Sequence, residues 1–181
     1  MAELPVRACH GRQSRRDTYE RFLPAGGDVD TAVAEQERIE SLADGIIEVP
    51  GAGALLKALN GAPWAVVTSA PRNLARMRIH AAELPQPDVL VSAEDVADEK
   101  PDPVGYLIAA SRLGADPARC VVFEDAETGI LAGCASGAST IIVGGYRPAD
   151  DDLVTVDDLC AVAVIGHAST GVELAITPAA S

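Results

Sequence analysis

Two carboxylates, Glu124 and Asp125, follow directly on the apolar run Val121-Val122-Phe123, and small residues and Ile130-Leu131-Ala132-Gly133 come after them. A β-branched run that ends so abruptly reads as a buried parallel strand, an acidic loop at its carboxyl end, and a helix packed back on the sheet. Ligands of open α/β sheets sit in the crevice beyond the strand carboxyl ends, so this pair is a candidate metal site of hard oxygen donors. The same pair also reads as a plain loop and helix cap. Two further strand ends carry chemistry. Trp64-Ala65-Val66-Val67 runs into Thr68-Ser69-Ala70, and Val89-Leu90-Val91-Ser92 leads through Glu94-Asp95 to Lys100-Pro101-Asp102-Pro103. A hydroxyl, a lysine and two carboxylates thus come in chain order from successive strand ends.

The elements that must hold them alternate strictly from Ile46. Pro50-Gly51 opens a helix over 52–59, which Asn60-Gly61 ends. The pattern then predicts strand 64–68, helix 71–83, strand 88–91, helix 103–113, strand 120–124, helix 127–136 and strand 139–143. Such alternation means βαβ units, a parallel sheet and right-handed crossovers. Beyond Pro148, Leu153-Val154 and residues 161–165 read as short edge strands, before a small Ala/Ser-rich tail after Thr177.

Residues 1–48 have another character. Residues 17–23 read as a helix stopped by Pro24, and Gly26-Gly27-Asp28 as a loop. The run 31–42 has a poor apolar stripe, so it is expected to lie over a cleft or another domain, capped by Asp30 or Thr31. Two domains are expected: 1–48 as a partial helical cap and 49–181 as an α/β core.

Composition narrows the classes. The chain has 181 residues, 48% hydrophobic but only 3% aromatic, so its core must be mostly Ala, Val, Leu and Ile. A formal net charge of −13 argues against a nucleic-acid partner, because phosphate backbones bind basic surfaces. Attraction for an anionic substrate must then be local. No apolar run is long enough to span a bilayer, so no membrane partner is expected. Cys9, Cys120, Cys134 and Cys160 are far apart, and His10, His80 and His167 are scattered, so neither a disulfide framework nor a zinc cage is indicated. Cys120 and Cys134 read as small buried apolar residues, and a reduced, cytoplasmic setting is the default.

Thr68, Lys100 and Glu124-Asp125, in this order on successive strand ends, resemble the second, third and fourth motifs of the haloacid dehalogenase-like hydrolase superfamily. His10-Gly11-Arg12, Asp17-Thr18 and Ile47-Glu48-Val49-Pro50-Gly51 resemble its capped subgroup of β-phosphoglucomutases and glycerol-phosphate or 2-deoxyglucose-6-phosphate phosphatases. The resemblance covers roughly residues 9–160. It implies a Rossmann-like parallel sheet with helices on both faces, and a phosphatase acting on a small sugar or polyol phosphate with Mg²⁺. Asp125 would ligate the metal, with Glu124 beside it as a second-shell or alternate ligand. Lys100 would pair with the phosphoryl oxygens, and Thr68 would donate its hydroxyl to them, helped by the amides of Ser69 and Ala70. Arg15 and Arg16 are the substrate-contact candidates of the cap.

One part of the pattern is missing. The superfamily's first motif is an apolar strand ending in Asp-x-Asp, which carries nucleophile and general acid. Leu4-Pro5-Val6-Arg7-Ala8-Cys9 has no Asp, and Asp28-Val29-Asp30 follows Gly-Gly rather than a strand. The chain therefore looks like a member truncated at its N-terminus, of impaired activity. An inactive phosphate- and metal-binding scaffold is the alternative, and a phosphomutase a weaker one. Losing that central strand would leave a slot of roughly 9–10 Å between strands 64–68 and 120–124. Its unpaired edges invite self-association.

Overall fold

The computed structural model describes residues 28–31, 34, 45–146, 153–168 and 171–179. The chain divides into two compact units, Met1–Leu42 and Ala43–Ser181. In the first, residues 29–31 are helical, and the cap is Asp28 rather than Asp30 or Thr31. Its Oδ1 accepts from the Asp30 amide at 3.1 Å and its Oδ2 from the Thr31 hydroxyl at 2.6 Å. A carboxylate just ahead of the first turn reaches donors that a residue inside that turn cannot. Arg15, Arg16 and the helix expected over 17–23 lie outside the described residues.

The second unit opens with helix α1 (Ala52–Ala58), whose N-cap Gly51 has no side chain to offer. The Glu48 carboxylate supplies that function, accepting from the Gly53 amide at 2.6 Å. Strand β1 (Ala65–Val67) pairs in parallel with β2 (Val89–Val91), Ala65 opposite Val89 and Val67 opposite Val91. Helix α2 (Arg72–Ala81) connects them. Helix α3 (Val104–Leu113) packs on both strands and stops at Gly114 in the left-handed conformation. Strands β3 (Val121–Glu124), β4 (Ser139–Val143) and β5 (Thr155–Val156) form a parallel sheet in that order. Helix α4 (Glu127–Ala135) packs on β3 and β4.

The parallel βαβ architecture is thus the one expected, with element ends shifted by a residue or two. It is divided: β1–β2 and β3–β4–β5 are separate sheets, and among the described residues no strand pairs β1 with β3. The core follows from composition, with Ile141, Val143 and Val156 at its centre and Phe123, Leu159, Ala161 and Ile176 packed around them.

Three sequence expectations change. The strand after Pro148 is Thr155–Val156, because Val154 already accepts from the Ile142 amide and the ladder runs on from there. The run expected as a short edge strand over 161–165 is longer: β6 (Val162–Ala168) pairs antiparallel with β7 (Gly171–Ile176), a strand not among those expected. Cys134 is exposed rather than buried. On α4 the sheet-facing positions are Gly129, Ile130, Ala132 and Gly133, which leaves Cys134 on the face that carries the half-exposed Leu131. Cys120 is partly buried.

The C-terminal segment is tied in at both ends. Leu159 donates its amide to Pro50 at 3.0 Å, Thr177 to Ala161 at 2.9 Å, and Ala179 to Thr155 at 2.8 Å. Gly51, at φ 86°, lies against the backbone of Leu159 and Cys160.

Candidate active site

Strand pairing decides which main-chain groups face the division between the two sheets. The Thr68 amide donates to Val91 at 2.9 Å, so the main-chain groups of Thr68 face β2. Those of Val67, one residue earlier, face the opposite way, because successive residues of a parallel strand bond to opposite sides. Lys100 Nζ meets the Val67 carbonyl there, at 3.3 Å. It also donates to Tyr106 Oη at 3.0 Å and to Glu124 Oε1. An ammonium has three hydrogens, and here three protein oxygens take them.

Glu124 is engaged as fully. Its Oε1 accepts from Lys100 and from the Tyr106 hydroxyl, and its Oε2 from the Asp125 amide at 3.3 Å. The side chains of Lys100 and Glu124 are 16% and 11% exposed, so the pair is largely withdrawn from water. The ammonium also lies 4.9 Å from the centre of the Tyr106 ring. Burial first, then the hydrogen bond to Glu124, push the Tyr106 phenol far above its ordinary range, so it remains a protonated donor. Asp125 stands apart: it is exposed, and among the described residues its carboxylate accepts no hydrogen bond.

Beside this cluster, the Ala70 amide donates to Thr68 Oγ1 at 3.1 Å. Thr68 therefore accepts with its oxygen and keeps its hydroxyl hydrogen for an incoming oxygen, while the Ala70 amide is already engaged. Ser69 is exposed at the same turn. A cavity of about 20 Å³, lined by Thr68, Ser69, Ser92 and Lys100 among others, has room for one water molecule. The structure thus brings Thr68, Ser69 and Lys100 to one cavity, and Lys100 and Glu124 into contact.

For a divalent cation the described residues offer an incomplete set. No three carboxylate, imidazole or thiol side chains converge among them. Asp125 fits as one open oxygen donor, and Glu124 is the poorer one, because its Oε1 already accepts from an ammonium and a phenol and its Oε2 from an amide.

A second acidic hub frames the turn that carries Thr68. Asp95 accepts from the Ser92 amide and hydroxyl, both at 2.8 Å, from Arg112 at 2.9 Å and from Arg72. Both arginines also reach the Leu90 carbonyl. Glu94 closes the first turn of α2, taking the Arg72 amide at 3.0 and 3.1 Å. The Ser92 amide first, then Arg112, hold the Asp95 carboxyl well below the usual carboxylate range. A carboxyl so depressed stabilises the fold fully above its unfolded pKa of about 4, and the contribution is lost as pH falls below that value. Asp95→Asn is expected to cost about 2 kcal/mol at neutral pH, the lower part of the range for charged hydrogen bonds because both arginines are more than a third exposed. Urea melts at descending pH should show the variant and the parent converging in acid. A constant gap down to about pH 2.5 would remove Asp95 from this role.

Sequence reading did not find Tyr106 or Asp95 as site-framing residues. Tyr106 lies in the first turns of the helix that starts just after Lys100, and that short separation was the signal available for it.

The model of haloacid dehalogenase-like hydrolases matches residues 3–137. Hexitol phosphatase A of Escherichia coli (strain K12) is 42% identical over 156 residues, covering 83% of this chain and 70% of that protein. Glycerol-1-phosphate phosphohydrolase 1 of Saccharomyces cerevisiae is 35% identical over 179 residues, covering 93% of this chain and 70% of that protein. The crystal structure of β-phosphoglucomutase from Clostridium difficile superimposes with a TM-score of 0.64 at 25% identity, covering 81% of this chain and 71% of that one.

Proposed function

The chain belongs to the haloacid dehalogenase-like hydrolases, and from that premise we propose that it is a phosphatase-type protein whose site recognises the phosphoryl group of a small sugar or polyol phosphate. The observation that supports this reading is that Thr68 and Lys100 line one cavity, while Lys100 also reaches Glu124, the neighbour of Asp125 at the end of β3. A free hydroxyl hydrogen on Thr68, the positive charge of Lys100 and an open carboxylate for a counter-cation suit a phosphoryl group. Relatives named as hexitol and glycerol-1-phosphate phosphatases support the substrate class. Residues 1–48 are read as part of a cap, with Arg15 and Arg16 as its substrate contacts. Mg²⁺ is the metal proposed for this chemistry, with Asp125 as its carboxylate donor; a single carboxylate leaves most of the octahedron to water, so binding is expected to be weak. The described cysteines are unpaired thiols, which suits the cytoplasm.

Hydrolysis through a covalent intermediate needs a carboxylate to attack phosphorus and an acid to protonate the departing alkoxide. Among the described residues no strand ends in Asp-x-Asp. The purified chain is therefore expected to turn over p-nitrophenyl phosphate only at trace level. Robust turnover abolished by Asp125→Asn would mean that another group attacks.

The division between β1 and β3 gives a second expectation. An extended apolar peptide ending in Asp-x-Asp should raise the melting temperature by adding as a strand, and the chain alone should self-associate in light scattering. A monomeric melt unmoved by the peptide would show that these edges accept no strand.

A further inference from the structure

We propose that Tyr106 and Gly129 are positioning residues, building a seat in which Glu124 serves as the fixed counter-ion of Lys100, so that of the two adjacent carboxylates only Asp125 faces a metal. The inference rests on the proposed phosphoryl site and assigns the division of labour within it. Its geometry comes from three elements. Tyr106, on α3, donates its hydroxyl to Glu124 Oε1 and accepts from Lys100. The Asp125 amide holds Oε2. Gly129, in the first turn of α4, lies directly beneath the carboxylate. A methyl group on it would stand 2.5 Å from Oε1 and closer still to the rest of the carboxyl.

These contacts have one consequence for Lys100 and another for the metal. Lys100 is held by three oxygens on two sheets and one helix, so its ammonium is set in place before any ligand arrives. A cation approaching Oε1 of Glu124 would have to displace an ammonium and a phenol, and at Oε2 it would compete with the Asp125 amide. Approaching Asp125, it meets an exposed carboxylate with no hydrogen bond from the described residues. Adjacent in sequence and equal in charge, the two carboxylates differ because the seat takes one of them.

Lys57 and Lys100 are the chain's two lysines, and Lys57 is exposed, so it serves as an internal reference. Trace acetylation with acetic anhydride, read by mass spectrometry, gives the reactivity of Lys100 relative to Lys57. The ratio should be low in the parent and rise about threefold or more in Tyr106→Phe, which keeps the ring and loses only the hydroxyl, and also in Gly129→Ala, which expels the carboxylate. Circular dichroism confirms that each variant is folded, and either folded variant is sufficient for the test. Mn²⁺ titration followed by electron paramagnetic resonance reads the second half. Asp125→Asn should weaken binding about tenfold or more, and Glu124→Gln should change it by less than about twofold. A packing role for Tyr106 alone would leave the Lys100 ratio unmoved in Tyr106→Phe, and that result overturns the seat. Equal losses of Mn²⁺ in Glu124→Gln and Asp125→Asn overturn the division of labour. If neither variant affects Mn²⁺ binding, the metal half of the proposal and the phosphoryl-site reading fail together, while the labelling ratio still decides the seat.

Discussion

Exchanging Lys100 for methionine is expected to lower the unfolding free energy by about 3 kcal/mol, because removing one partner of a withdrawn ion pair leaves the other charged and uncompensated. The carboxylate left behind is Glu124, only 11% exposed, and the Val67 carbonyl loses its donor at the same moment. Against a total of about 5–15 kcal/mol this is a large share. It should also appear in a particular place: β1 and β3 are tied across their division by Lys100 and Tyr106, so amide exchange should accelerate at both strand ends together. Adding Glu124→Gln to the methionine variant should recover more than half of the loss, because the uncompensated charge is then gone. Urea melts of the four proteins in the cycle measure this. A lysine that was merely a solvated loop charge would give a methionine variant within about 0.5 kcal/mol of the parent.

Gly51→Ala is the second large effect, expected at about 3 kcal/mol or more. Two costs combine. The residue sits at φ 86°, where a Cβ is strained by roughly 1 kcal/mol or more. That Cβ would also fall 2.5 Å from the Leu159 carbonyl carbon and 2.9 Å from Cys160 Cα. These are backbone atoms of a segment held to Pro50 by a hydrogen bond, so they cannot swing aside as a flexible side chain would. Thermal melts should fall by about 10 °C or more, with early loss of protection at the Leu159 amide. An alanine variant melting within about 2 °C of the parent would show that the turn relaxes freely.

What was legible in the sequence was whatever local pattern determines. Val121-Val122-Phe123 ending in two acids placed a strand end correctly, and the same logic found Val67-Thr68 and Val91-Ser92. The parallel architecture followed from alternation alone. Partner choice was not legible. The family resemblance separates Glu124 from Asp125, but local pattern does not: their different surroundings come from Tyr106 on α3 and Gly129 four residues past Asp125. Likewise Asp95 reads as a loop acid until Arg72 and Arg112 are brought to it from 23 and 17 positions away. Cys134 was misplaced because α4 is apolar on nearly every side, and such a helix does not declare its buried face. For β7 the alternation of Val172, Leu174 and Ile176 was a usable signal, visible once β6 is known to need a partner.

The bond from Leu159 to Pro50 also dictates an order of events during synthesis. Helix α1 has seven residues, too few to persist alone in water. Its neighbours are the turn 159–161 and β6. Those partners are made roughly a hundred residues later, about 5–20 s at ordinary elongation rates. For that interval the segment carrying Ala52 and Leu55, both buried in the finished fold, waits as an unfolded apolar stretch. β1 and β2, only some two dozen residues apart, can already be pairing. The first helix of this unit is therefore among the last to form, and a ribosome stalled before residue 159 holds a chain whose α1 segment is open to chaperones and proteases.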